Sequence, residues 1–158
     1  MPEFLVDTQV SQNASTAGAI AVPLGPVLNI LAPPASALFG TLGLNTSTAG
    51  PDLRVVFDYT VTLSSLVTVL TPVTVTVNRV IDGVATTIYS VTETLPLVAG
   101  VLTTTVLSGV GIDYHPTNPG FIVYQAIISV PATVIVFPTR TGPESFNAEA
   151  YSEPPVIV

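Results

Sequence analysis

Asp82-Gly83 stands between two runs of β-branched residues, 73 to 81 (VTVTVNRVI) and 84 to 92 (VATTIYSVT). A two-residue loop of this type reverses the chain with both central residues at positive φ, so the two runs are expected to form an antiparallel hairpin. The loop sets the pairing: Ile81 opposite Val84, Arg79 opposite Thr86, Val77 opposite Ile88 and Val75 opposite Ser90. That register gathers Val73, Val75, Val77, Ile81, Val84 and Ile88 on one surface and leaves a Thr-rich surface for water. Arg79 falls on the apolar side, where it is expected to be partly buried and paired with an acid.

The same period of two runs through residues 53 to 63 (LRVVFDYTVTL), with Leu53, Val55, Phe57, Tyr59, Val61 and Leu63 on one side. Arg54, Asp58, Thr60 and Thr62 lie on the other, and only Val56 breaks the pattern. Strands are further expected at 3 to 10, 101 to 107, 120 to 130, 132 to 137 and 145 to 151, separated by Gly, Pro and Asn clusters. Pro131 marks a bend or an edge between two of them. No segment reads as an amphipathic helix. About eight short strands in a chain of 158 residues predict an all-β fold, an antiparallel β-sandwich or jelly roll.

From Thr8 to Pro51 no residue is charged. Residues 19 to 44 are apolar and long enough for a membrane span. Pro23, Pro26, Pro33 and Pro34 exclude it, since each interior proline costs a helix roughly 3 kcal/mol. The stretch is predicted as an extended arm over residues 1 to 50, in front of a sandwich domain over 51 to 158. The start, Met1-Pro2-Glu3-Phe4, lacks a basic n-region and an apolar h-region, so it does not read as a secretory signal.

Composition narrows the chemistry. Three Arg, no Lys, ten acidic residues and a net charge of -7 give phosphate backbones and anionic lipid little to pair with, so nucleic acid and membrane are not expected partners. Zero Cys and one His exclude thiolate nucleophiles, disulfides and multi-histidine metal cages. His115 with Asp113 and a remote Ser has the parts of a hydrolase triad, but no G-x-S-x-G elbow occurs, and Asp113 reads as the start of a turn. Asp7, Asp52, Asp58, Asp82 and Asp113 are scattered singly rather than in a calcium-binding run. Glu144, Glu149 and Glu153 read as a solvated strand face. Asn13-Ala14-Ser15 and Asn45-Thr46-Ser47 match the glycosylation sequon but read as chance in a Ser/Thr-rich stretch. The expectation is therefore no enzyme, no cofactor and no metal.

Self-association is the expected activity. Charged residues make up 8% of the chain, against about a quarter in an ordinary soluble protein. Natural monomers guard sheet edges with Lys or inward charges, and this chain has almost none. An unguarded edge accepts a strand from a neighbour, and residues 3 to 10, tethered by Ser11 to Gly18, are a donor candidate. Phe4, Leu5, Val6, Val10, Ile20, Val22, Leu28 and Ile30 are the expected subunit-interface residues of the arm. A chain without Lys or Cys, and with Met only at position 1, resists trypsin-like cleavage and oxidation, as suits a durable extracellular material. Two other functions fit the fold: a closed trimeric surface or adhesion head, and a carbohydrate-binding module, the latter weakened by the absence of Trp.

The run Val77-Asn78-Arg79-Val80-Ile81-Asp82-Gly83, then Ile88-Tyr89-Ser90, Asp113-Tyr114-His115-Pro116 and Gly120-Phe121-Ile122-Val123-Tyr124, resembles β-sandwich proteins of the bacterial spore surface. These include exosporium proteins and appendage subunits similar to tumour-necrosis-factor and C1q domains. The likeness spans roughly residues 53 to 130. It implies assembly on the spore exterior without a signal peptide, as oligomers or fibres with an N-terminal connector and a spore-surface anchor protein as a partner. The chain departs from the collagen-stalked members in having no G-x-y repeat, and from one cross-linked appendage type in having no Cys.

Overall fold

A computed structural model of the chain describes residues 3–24, 35–66, 70–131, 133–134 and 136–155. They form ten strands: β1 (Phe4–Ala14), β2 (Val22–Pro23), β3 (Ala35–Asn45), β4 (Arg54–Ser65), β5 (Thr71–Ile81), β6 (Val84–Leu95), β7 (Thr103–Tyr114), β8 (Phe121–Val130), β9 (Thr139–Arg140) and β10 (Glu144–Ser152). The fold is all-β, a jelly-roll sandwich of two antiparallel sheets. In the first sheet β4 is central, with β7 along one side and β10 then β1 on the other, and the short β9 and β2 extending those last two lines. The second sheet runs β3, β8, β5, β6.

The Asp82-Gly83 loop turns as expected, with φ of 50° and 78°, and Ile81 opposes Val84 and Arg79 opposes Thr86. Beyond that the register slips. Asn78 opposes Thr87 and Val77 opposes Tyr89, so Ile88 bulges and Val75 meets Val91 instead of Ser90. The bulge turns Tyr89 towards the core, where its ring meets Phe57 edge-on at 5.7 Å and Tyr59 at 6.0 Å. The apolar surface is correspondingly shorter than expected: Val73, Val75 and Val77 are buried, whereas Val84 is exposed.

Residues 1 to 50, expected as an extended arm, instead supply three strands of the sandwich. β1 pairs with β10, and β3 pairs with β8 along its whole length. Phe39, Leu42 and Leu44 are core residues. The physical reason is a slip at Leu38/Gly40, which moves the inward phase by one residue and breaks the alternation that would have marked the strand. Leu28 and Ile30 lie outside the described residues. The strand expected at 132 to 137 is also absent from that run's described residues, where Val134 N–H closes a turn on the Pro131 carbonyl at 3.2 Å.

Between the sheets lie Phe39, Phe57, Tyr59, Leu63, Ile122, Tyr124, Ile128 and Phe146, all essentially inaccessible to solvent. Each is worth about 1.5–3 kcal/mol of burial. β7 contributes glycine here: a Cβ on Gly111 would lie 2.3 Å from the Phe57 ring and one on Gly109 2.6 Å from the Tyr59 hydroxyl. Two β4 rings thus fill space that β7 leaves empty.

The loops fall into two groups. Ser65 opposes Thr103, Thr71 opposes Leu95 and Ala35 opposes Val130, so the connections at 66–70, 96–102 and 131–138 share one end of the sandwich. The loops at 46–53, 82–83 and 115–120 occupy the other, which carries Asp52, Asp82 and His115.

Candidate self-association surface

The two lateral sides of the sandwich are finished differently. Along one side β1 and β3 blunt each other. The Asn45 N–H donates to Asp7 Oδ2 at 2.7 Å, the Thr41 N–H donates to Ser11 Oγ at 3.2 Å, and the Asn13 amide donates to the Phe39 carbonyl. Side chains of one edge strand satisfy the backbone of the other, which closes that side to further pairing. On the opposite side, among the described residues, β6 pairs with β5 alone and β7 with β4 alone. Both are 12 residues long, and each leaves one backbone edge open.

β7 also inverts the usual pattern of a half-buried strand. Beyond the buried Leu107 its inward positions hold Gly109 and Gly111, and its outward row runs Val106, Ser108, Val110, Ile112 and Tyr114. Val106, Val110 and Tyr114 are 58%, 67% and 63% exposed. The strand's one acidic residue, Asp113, points inward and is 7% exposed. The result is a largely apolar row, broken by Ser108 and flanked by Asp58 of β4, beside an open hydrogen-bonding edge, the arrangement edge strands usually avoid.

A buried ionic cluster holds this strand to the second sheet. Arg79 Nη1 on β5 donates to both carboxylate oxygens of Asp113 at 2.9 Å, and the Tyr124 hydroxyl on β8 donates to Asp113 Oδ2 at 2.9 Å. Arg79 is therefore partly buried and paired, as its place on the apolar side required. Burial, with the Asp113 charge behind it, pushes the Tyr124 phenol well above its ordinary value. Burial, then a hydrogen bond with Tyr89, does the same to Tyr59.

A second cluster locks the opposite corner. Arg140 Nε donates to Glu144 Oε2 at 2.9 Å, a second guanidinium nitrogen reaches Glu144 Oε1, and the Asn13 amide donates to that same oxygen at 2.8 Å. Glu144 is inaccessible to solvent, which corrects its reading as part of a solvated strand face. Arg54 pairs with Glu3 and stacks over the Tyr151 ring, 5.6 Å from its centroid. All three arginines are thus engaged within the chain.

Six of the eight expected interface residues of the N-terminal stretch are described, and they lie on β1, β2 and the turn between them. Phe4 opposes Ser152, Leu5 opposes Tyr151 and Val10 opposes Asn147. Leu5 and Val10 are exposed, whereas Val6 packs on the core. Ile20 is half-buried, and Val22 opposes Arg140. His115 and Asp113 are not brought together: the His115 ring is exposed with Nδ1 3.6 Å from Asp52, while Asp113 belongs to the Arg79 cluster. Among the described residues no group of three or more His, Cys, Asp or Glu could hold a metal ion, and no helix is long and apolar enough to cross a membrane. Tyr114 on β7 and Phe121 on β8 are both exposed and belong to different sheets. The stripe on β7 escaped the sequence reading, which ended that strand at Leu107; the signal was Val110 and Ile112 spaced by glycines.

No protein-family model and no curated protein sequence matches this chain. Among solved structures it is similar to murine APRIL at pH 5.0, with 10% identity over 90% of this chain and 98% of that one and a TM-score of 0.42. It is also similar to a chain of the infectious bursal disease virus Gt strain, with 10% identity and a TM-score of 0.33. That match covers 92% of this chain and 41% of the viral one.

Proposed function

We propose that the chain is a non-enzymatic structural subunit that self-assembles into an extracellular fibre or surface appendage, of the spore-surface kind its sequence resembles. The observation that carries this is β7: Val106, Val110, Ile112 and Tyr114 present apolar side chains to solvent next to an unpaired backbone edge. Burying that stripe against a second copy removes apolar area from water, with Asp58 of β4, opposite Val110, the acid nearest the contact. β1 offers a second joint. It is an edge strand whose ladder partner is β10, so exchanging the β1–β2 unit between neighbours would reproduce the same pairing in trans.

Sedimentation velocity and negative-stain microscopy of the purified chain test the proposal. The expected result is concentration-dependent association into extended assemblies, which Val110→Lys/Ile112→Lys reduces to small oligomers. Wild-type protein that remains a 16.3 kDa particle at high concentration refutes it. One closed particle size, without fibres, would identify a closed head such as a trimer in place of a fibre subunit. A truncation lacking residues 1 to 18 that assembles normally would remove β1 as a joint.

A further inference from the structure

At the loop end that follows Ser65, Leu95 and Val130, the described residues 66, 70, 96–102, 131, 133–134 and 136–138 include no charged residue. Leu66, Leu70, Leu97, Val98, Val101 and Leu102 are all exposed there, Leu70 and Leu102 by two-thirds. Thr71 opposing Leu95 and Ser65 opposing Thr103 hold the two groups of side chains side by side. The opposite end carries Asp52, Asp82 and His115.

We infer that this end is a second assembly contact, docking onto the same end of another copy in a two-fold, end-to-end manner. The inference rests on the self-assembly reading and adds to it. A fibre built from two-fold contacts needs two different ones per subunit, because a single such contact closes at a dimer. The β7 stripe supplies one and the apolar end supplies the other. Charge selects the partner: copies of net charge -7 repel wherever acids face each other, and apolar end against apolar end brings none together. Head-to-tail docking would set the leucines against the Asp52 and Asp82 end. Size permits it when the patch is fully covered, since six such residues expose roughly 600 Å² and two copies together bury at most about 1,200 Å², the lower bound of a stable interface. A bilayer is a poorer occupant, because irregular loop backbone in the hydrocarbon region leaves its polar groups unsatisfied.

The test compares full-length wild type with Leu97→Ser/Leu102→Ser, Val110→Lys/Ile112→Lys and the four-site combination. Mass is read by sedimentation velocity, and flotation with phosphatidylcholine vesicles is read in parallel. Wild type is expected to form extended assemblies, the end variant to stop at the small oligomer closed by β7, the β7 variant to stop at a dimer, and the combination to be monomeric. Extended assemblies that persist in the end variant overturn this inference and leave the self-assembly reading standing, whereas a monomeric wild type overturns both. Vesicle binding by wild type that is lost in the end variant would replace the second copy with a lipid surface. Thermal melts of each variant keep these outcomes separate from unfolding.

Discussion

Replacing Asp113 with Ala tests whether the buried cluster carries the stability of the open side. The carboxylate is 7% exposed and Arg79 20% exposed, so removing the acid leaves a mostly buried guanidinium with no partner and a Tyr124 hydroxyl with no acceptor. Breaking a fully buried pair costs about 3–5 kcal/mol. The residual access of Arg79 lets it turn part-way to water and lowers the figure to about 3 kcal/mol. At roughly 2–4 °C per kcal/mol for a domain of this size, the melting temperature should fall by about 6–12 °C. Differential scanning calorimetry at fixed protein concentration reads this directly, the concentration mattering because association raises the apparent midpoint. The paired variant Arg79→Met/Asp113→Leu should recover most of the loss, since apolar replacement of a whole buried pair is close to neutral. A fall of under about 2 °C for Asp113→Ala, or no recovery in the pair, refutes the assignment.

Glu144→Ala strands both Arg140 and the Asn13 amide, and a loss of about 3–5 kcal/mol is expected in urea unfolding. Gly111→Val puts a Cβ where the Phe57 ring stands, 2.3 Å away, and should cost about 1–3 kcal/mol by overpacking, read as a lower melting temperature. Tyr59 and Tyr124 both have phenol pKa values raised above the usual 10.0. Their folded forms hold protons that the unfolded chain releases, so stability should be level below pH about 9 and fall as pH climbs past about 10. An ultraviolet titration should show these two phenols ionising only with unfolding, and their early, reversible ionisation in the native protein would contradict the burial argument.

How much was legible follows from where side-chain pattern and backbone phase agree. β4 and the first pairs of the β5–β6 hairpin follow the period of two, and both could be read in advance, Arg79 included. β3 could not, because the slip at Leu38/Gly40 shifts its inward set from Ala35 and Phe39 to Leu42 and Leu44, and glycines at 40 and 43 leave their space to the Phe146 and Phe121 rings. β7 was truncated for a related reason: core space there is filled by Phe57 and Tyr59 from β4, so the strand's own alternation runs backwards. The partner of Arg79 was hidden for the same cause, since Asp113 is a strand residue only once β7 continues past Leu107. Ile88 gave no sign of its bulge because either register places an apolar residue near Val77.

With every guanidinium engaged inside its own molecule, the seven carboxylates that balance no arginine account for the whole net charge of -7. Such an exterior behaves like a polyanionic colloid with neutral contact patches, and added electrolyte shortens the range of its repulsion to about 8 Å near physiological ionic strength. On the proposed self-assembly, the salt concentration of the surroundings would then govern the onset of association, with no dedicated trigger residue required.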